Sequence, residues 1–152
     1  MTMKEVRLIK ADRHYDTRGY FVETYNLKKF KQEQIFDIFV QDNHSFSKNK
    51  FTLRGLHFQL PPYAQAKLVR CIKGAIFDVA VDIRYGSSTF GHWIGYELNS
   101  ANGNQLFVPK GFAHGFLTLE KNTEVVYKCS SYYNSQSEAS IRWNDKKLNI
   151  KW

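Results

Sequence analysis

The chain has 152 residues, of which 22 are Lys or Arg and 14 are Asp or Glu, giving a formal net charge of +8. This length favours one domain, residues 1–152, that buries roughly two-thirds of its extended-chain surface. No apolar run approaches the ~20 residues of a membrane span, and the N-terminus lacks the apolar core of a signal peptide, so we expect a cytoplasmic protein without membrane contact. The basic residues are spread along the chain, and a phosphorylated or nucleotide-linked small molecule fits this charge as well as nucleic acid does.

Short strands at intervals of roughly ten residues are predicted along most of the chain, a spacing typical of an all-β sandwich or barrel. One short helix is predicted over 27–36, which is rich in Lys, Gln and Glu. A tight hairpin is predicted at Lys73-Gly74, and in its register Lys67 and Asp78 face the same side as near diagonal neighbours. The predicted strands cover 6–9, 20–25, 38–43, 51–58, 67–72, 75–83, 93–98, 105–108, 115–119 and 124–129, and a closing strand or turn covers 140–152.

The most unusual stretch is LRGLHFQLPP at 53–62. Gly55 inside an apolar strand predicts a bulge or a close backbone approach, because glycine there loses packing and costs backbone entropy. Arg54 supplies a permanent cation suited to phosphate, and His57 titrates near neutrality. Lys67 follows after a Pro-Pro turn that can bring the next strand alongside. A core strand with a hydrogen-bonded histidine and two solvated cations would explain any one of these residues, but the three together favour a functional site.

Two further stretches carry candidate chemistry. PKGFAHG at 109–115 resembles the second motif of the cupin β-barrels, but the first cupin motif, H-x-H with a following Glu, is represented only by His57. With at most two imidazoles and no acidic partner, no metal site is expected. Tyr127 fits a barrel-core aromatic, and beside an imidazole it would also form an acid–base pair with well-separated pKa values. Cys71 and Cys129 are expected to be buried reduced thiols.

Nine short motifs run in order from about residue 16 to Trp152: D-x-R-G-x-F-x-E at 16–23, Q-x-N-x-S at 41–45, LRGLHFQ at 53–59, QAKLV at 65–69, DVAVDIR at 78–84, STFG at 88–91, P-x-GFAHGF at 109–116, YKCS at 127–130 and WND at 143–145. Together they resemble the dTDP-4-dehydrorhamnose 3,5-epimerase family of nucleotide 4-keto-6-deoxysugar epimerases. The resemblance implies an all-β, cupin-type jelly-roll barrel (a double-stranded β-helix) with one or few short helices.

The resemblance also implies roles for individual residues. His57 resembles the general base, Tyr127 the general acid on the opposite face of the sugar, and Lys67 the cation that steadies the enolate. Enolate formation needs such stabilisation, which Lys67 and His114 could provide electrostatically without a cofactor. The substrate-binding residues implied are Arg54 at the diphosphate, the pocket residues Gln41, Asn43, His114 and Tyr133, and the nucleotide-binding residues Arg18, Phe21 and Glu23. In the family the strand that carries the last three comes from the neighbouring subunit, which implies a homodimer with exchanged N-terminal strands.

Family members usually continue past the segment matching 148–152 into an S-x-K-D-like motif whose Asp pairs with the catalytic histidine. The sequence given ends at Trp152, so we expect Asp78 to lie on the pocket face as the stand-in. Beside His57 its carboxylate would raise the histidine pKa above ~6.5. Beside Lys67 it would hold the ammonium charged and oriented.

These observations predict a cofactor-independent isomerase that inverts C3, or C3 and C5, of a nucleotide-linked 4-keto-6-deoxy sugar in polysaccharide sugar biosynthesis. The expected partner is the nucleotide-diphosphate sugar, with no nucleic acid and no membrane. Two alternatives remain: a 3,4-ketoisomerase of the same sugars, and a non-catalytic nucleotide-sugar-binding relative.

Overall fold

Strands make up most of the regular structure in the computed structural model, which describes residues 3–152. The elements are β1 (Arg7–Ile9), β2 (Arg13–Asp16), β3 (Gly19–Val22), α1 (Leu27–Gln32), β4 (Gln41–Ser47), β5 (Leu53–Gln59), β6 (Lys67–Lys73), β7 (Ala75–Asp82), β8 (Trp93–Asn99), β9 (Gln105–Val108), β10 (Phe112–Thr118), β11 (Thr123–Cys129) and β12 (Glu138–Ser140). A first antiparallel sheet has the strand order β1-β9-β6-β11-β4, and a second has the order β12-β5-β10-β7-β8. β2 and β3 form a separate hairpin. The predicted all-β jelly roll is confirmed.

Apolar side chains form three clusters, one between the sheets, one outside the first sheet and one outside the second sheet. Ile76 and Ala80 of β7 belong to the inner cluster, whereas Val79 and Val81 belong to an outer cluster. The alternation follows from the strand period of two. The C-terminal segment covers the outer cluster with the partly buried side chains Ile141, Leu148, Ile150 and Trp152. The second sheet is therefore packed on both faces.

The connection between β6 and β7 differs from the predicted hairpin. The two strands lie in different sheets, so Lys73-Gly74 is a corner between sheets. Gly74 has φ +76°, and a Cβ at this position would lie 2.5 Å from Oγ1 of Thr123. A positive φ permits a tight turn or a corner equally, and here it redirects the chain to the facing sheet. The prediction that Lys67 and Asp78 are diagonal neighbours in one sheet is therefore wrong, because the two residues belong to facing sheets.

The helix is shorter than predicted and ends at Gln32. Asn26 caps it through an Oδ1 that accepts the backbone N–H of Lys28 at 3.0 Å. Gln34 then adopts φ +59°, which ends the helical path, and the chain buries Ile35 against Phe30. Within residues 3–152 no helix is long and apolar enough to cross a membrane.

Two glycines bring the neighbouring strands β5 and β10 into very close contact, as the position of Gly55 predicted. A Cβ on Gly55 would lie 2.6 Å from the Cα of Gly115, and one on Gly115 would lie 2.7 Å from the carbonyl oxygen of Arg54. His114 pairs with His57 but Phe116 pairs with Arg54, so β5 contains one extra residue between these pairs. The bulge reverses the in-out alternation. Arg54 and His57, three residues apart, can therefore both point toward the first sheet.

Candidate active site

A cavity of about 220 Å³ opens between the two sheets at the end where polar side chains replace the apolar core. It contains three predicted catalytic residues (His57, Lys67 and Tyr127) and three predicted substrate-binding residues (Gln41, Asn43 and Tyr133). Its other lining residues are Phe58, Gln59, Gln65, Cys129 and Glu138. Side chains from five strands and two loops thus converge on one small space.

The proposed base and acid come from opposite walls of the cavity. His57 lies on β5 in the second sheet, whereas Tyr127 lies on β11 in the first sheet. Lys67 lies on β6 next to β11, and its Nζ is 6.0 Å from the centroid of the Tyr127 ring. A ring-shaped molecule between the sheets would have an imidazole on one face and a phenol with a nearby ammonium on the other.

The surroundings separate the pKa values of these groups. Burial, and then the Lys67 charge, lower the pKa of His57, although the Glu138 carboxylate opposes them. Burial raises the pKa of Tyr127. At neutral pH the imidazole is therefore a neutral proton acceptor and the phenol a proton donor. The raised His57 pKa expected from a neighbouring Asp78 is wrong, because burial and a cation dominate at this position.

Asp78 pairs with His114 instead of His57. Both side chains are buried, Asp78 completely, and Nε2–H of His114 donates to Oδ1 of Asp78 at 2.7 Å. Neither residue lines the 220 Å³ cavity. The Asp78 charge helps to keep Lys67 protonated, although burial leaves the pKa of Lys67 lowered. Within residues 3–152, no group of three or more His, Cys, Asp or Glu side chains could hold a metal ion.

The other predicted binding residues lie away from the cavity surface within this chain. Arg54 donates to Oγ of Ser47 at 3.2 Å and to the carbonyl oxygen of Phe46 at 2.9 Å, and its charge acts on both His57 and Tyr127. Arg18 forms an ion pair with Asp16 at 2.6 Å on the β2–β3 hairpin, where Phe21 is 70% exposed. Glu23 forms an ion pair with Lys29 at 2.8 Å and lines a separate cavity of about 580 Å³ beside β1 and α1.

Glu138 is the most informative lining residue that sequence reasoning missed. Its Oε2 accepts a hydrogen bond from the Tyr133 hydroxyl at 2.8 Å, and this bond raises the pKa of Tyr133. β12 pairs with β5 so that Glu138 opposes Gln59 and Ser140 opposes His57. The local sequence YYNSQSEAS carries no apolar period, so this strand and its register could not be found without the neighbouring strand. Gln59 and Gln65 lie in the LRGLHFQ and QAKLV motifs, but the sequence alone indicates no role for their side chains.

Comparisons with known proteins agree with this geometry. The sequence model of the family described as dTDP-4-dehydrorhamnose 3,5-epimerase matches residues 1–152. The chain is 47% identical over 152 residues to the dTDP-4-dehydrorhamnose 3,5-epimerase of Sinorhizobium fredii, covering 100% of this chain and 78% of that protein. The crystal structure of the Bacillus anthracis enzyme with TDP and PPi bound has a TM-score of 0.97 at 46% identity, covering 100% of this chain and 87% of that one. The structure of the Legionella pneumophila enzyme in complex with dTDP-4-keto-L-rhamnose has a TM-score of 0.95 at 45% identity. The match covers 100% of this chain and 80% of that one.

Proposed function

Because the chain belongs to the dTDP-4-dehydrorhamnose 3,5-epimerase family, we propose that it inverts C3 and C5 of a dTDP-linked 4-keto-6-deoxy sugar without a cofactor. One observation carries the proposal beyond family membership: His57 and Tyr127 face each other from opposite sheets, with Lys67 beside the phenol. Inversion needs a base and an acid on opposite faces of one ring. The relatives support an epimerase over the ketoisomerase alternative. The cytoplasmic location stays a prediction.

The chemistry follows from the protonation states of the three groups. Neutral His57 takes the hydrogen on the carbon next to the ketone, and the electron pair of that C–H bond moves onto the carbonyl oxygen. The ammonium of Lys67 stabilises the resulting enolate, which a preorganised charge does effectively in a partly dry site. Tyr127 then donates its proton to the same carbon from the other face. Each inversion replaces one carbon-bound hydrogen by one from the acid, and solvent restores both side chains.

We assign Asp78 a positioning role in this reaction. Its bond to the buried His114 fixes that ring, and its charge favours the protonated Lys67. Asp78→Asn should therefore reduce kcat while KM changes little. Equal kcat for the variant and the unmodified protein would contradict the role. Asp42→Asn is a suitable control, because that carboxylate pairs with Lys128 at 2.8 Å with a side chain that is 74% exposed.

We also propose that the nucleotide site is completed by a second copy of the chain through exchanged N-terminal strands. In its support, Arg18 and Phe21 are exposed and do not line the cavity that contains His57. Co-expression of His57→Asn and Arg18→Ala chains tests this arrangement, because a mixed dimer would contain one site with both residues intact. Activity well above that of either variant alone is expected. Mixtures no more active than the single variants, or a fully active monomer by light scattering, would refute the exchange.

Deuterium incorporation tests the reaction itself. Incubation of the protein with dTDP-4-keto-6-deoxyglucose in D₂O should give a product with two carbon-bound deuterium atoms. One deuterium would restrict the activity to a single carbon, and none would show a binding protein. His57→Asn should abolish incorporation, whereas Tyr127→Phe should retain exchange but suppress inverted product. General acid–base groups contribute ~10²–10⁴-fold, so losses well below this range would contradict the assigned roles.

A further inference from the structure

The Gln59 side chain is buried next to the cavity and makes three hydrogen bonds to backbone groups. It is 8% exposed and lies two residues after His57 on β5, so both side chains have the same inward orientation. Its Nε2 donates to the carbonyl oxygen of Tyr63 at 2.7 Å and to that of Tyr132 at 3.2 Å. Its Oε1 accepts the backbone N–H of Asn134 at 2.8 Å. Both ends of the amide are therefore satisfied by backbone groups of two loops.

Two of these bonds fall on either side of Tyr133. Gln59 holds the carbonyl before this residue and the N–H after it, and Oε1 of Gln41 accepts the N–H of Tyr133 itself at 3.0 Å. Residues 132–134 have neither helical nor strand structure. Hydrogen bonds from side chains therefore fix this backbone segment, which no helix or sheet hydrogen bonds support.

The Tyr133 ring depends on this arrangement. It is 56% exposed, so close packing around the ring does not fix its place at the cavity. Its hydroxyl bond to Glu138 joins it to β12, which has only three residues. Shifting residues 132–134 would move the ring and strain the contact to Glu138 together.

We infer that Gln59 is a positioning residue for substrate binding that acts through Tyr133. The inference rests on the proposed function and on the substrate-binding role that the family resemblance implies for Tyr133, which lines the cavity. Gln59 fixes the position of the Tyr133 ring before substrate binds. Without Gln59, binding has to order that ring, and this free-energy cost lowers the affinity. The chemical step at saturation depends on His57, Lys67 and Tyr127, and is largely spared.

Titration with dTDP-glucose, which lacks the ketone and is not turned over, tests the inference. Gln59→Leu should weaken binding about 5- to 30-fold, the range corresponding to one or two net hydrogen bonds. Gln59→Glu has nearly the same shape, keeps the acceptor for Asn134 and turns an oxygen toward two carbonyls, so it should weaken binding similarly. It also serves as the second variant if the leucine variant folds poorly.

Thr118→Val is the matched control for general destabilisation. Thr118 is completely buried, and its Oγ1 donates to the carbonyl oxygen of Asn49 and accepts the N–H of Thr52, each at 2.9 Å, with none of these residues at the cavity. This variant should lower Tm without changing the affinity for dTDP-glucose. A matching loss of affinity in Thr118→Val would overturn the inference, because the Gln59 effect would then be general destabilisation.

A double-mutant cycle with Tyr133→Ala separates positioning from direct contact. If Gln59 acts through Tyr133, Gln59→Leu should weaken binding less than about twofold in the Tyr133→Ala background. Additive losses, or unchanged affinity of a folded Gln59→Leu, would overturn the inference while leaving the proposed function intact. Failure of the unmodified protein to bind dTDP-glucose would overturn both.

Discussion

Replacing Gly115 by Ala should disturb catalysis by forcing apart the paired strands β5 and β10. The new Cβ would lie 2.7 Å from the carbonyl oxygen of Arg54 and 3.2 Å from both Cα of Gly55 and Cδ2 of Leu56. Favourable non-bonded separations between carbon atoms are ~3.5–4.0 Å, so the strands must separate by about 0.5–1 Å. Because the nearest obstacle is backbone, no rotamer change can relieve the contact. The displaced segment carries Arg54 and leads into His57.

The expected magnitudes follow from two opposing effects. Overpacking costs about 1–3 kcal/mol, whereas alanine restricts the unfolded chain and recovers about 0.4–1 kcal/mol, because Gly115 does not have a positive φ. The difference is a net loss of at most about 2.6 kcal/mol, which corresponds to a fall in Tm of up to about 10 °C for a chain of this size. Catalysis should suffer more, because misplacing a reacting group by ~1 Å can cost ~10²-fold. We expect kcat to fall about 10- to 100-fold.

Deuterium incorporation at saturating substrate, together with thermal unfolding, measures both effects. Gly95→Ala is the matched control: its Cβ would meet the Phe77 ring on β7, and β8 lies three strands away from β5. It should lower Tm, because the Phe77 ring that has to move packs against Trp93 and Trp152, but it should leave kcat unchanged. A folded Gly115→Ala with kcat within twofold of the unmodified protein would refute the reasoning, as would an equal loss of kcat in Gly95→Ala.

Three further substitutions should change the stability or the pH dependence of activity in a defined direction. Burial alone would raise the pKa of Asp82, but hydrogen bonds from Arg84 and two hydroxyl groups lower it. The stabilisation that Asp82 provides is therefore present above ~pH 4 and is lost as pH falls toward the depressed value. Asp82→Asn should cost about 1–3 kcal/mol at pH 7 and flatten the acid limb of stability measured by urea unfolding. Lys67→Met removes a charge that lowers the pKa of His57, so the acid limb of kcat/KM should move to higher pH as kcat falls. Glu138→Gln removes a charge that raises the same pKa and should move that limb to lower pH. Limbs that shift together, or in the reverse directions, would contradict this account of the site.

Local sequence signals predicted those parts of the site that local backbone rules determine. Gly55 in an apolar strand predicted the close approach to β10. The motif resemblance selected His57, Lys67 and Tyr127, which the structure brings together in one cavity. These assignments did not require knowledge of strand pairing.

Features that depend on strand pairing could not be predicted in this way. Gly74 permits a hairpin or a corner, and only the sheet to which β7 belongs decides between them. Asp78 has a polar neighbour whose identity depends on which strand lies beside β7, and that strand brings His114. Glu138 reaches the cavity only because a short polar segment pairs with β5. In each case the missing information was long-range register.

The apolar layer outside the second sheet affects which substitutions the protein can tolerate. A cavity of ionisable and amide side chains displaces apolar packing from the space between the sheets, and small domains have little packing to lose. Here Leu56, Val79, Val81 and Ala113 are buried beneath the C-terminal segment, on the side of the sheet that faces away from the cavity. The outer faces of these strands therefore provide part of the stability, in addition to the apolar cluster between the sheets. Residues that line the cavity can therefore be exchanged for others while the outer apolar layer keeps packing these strands.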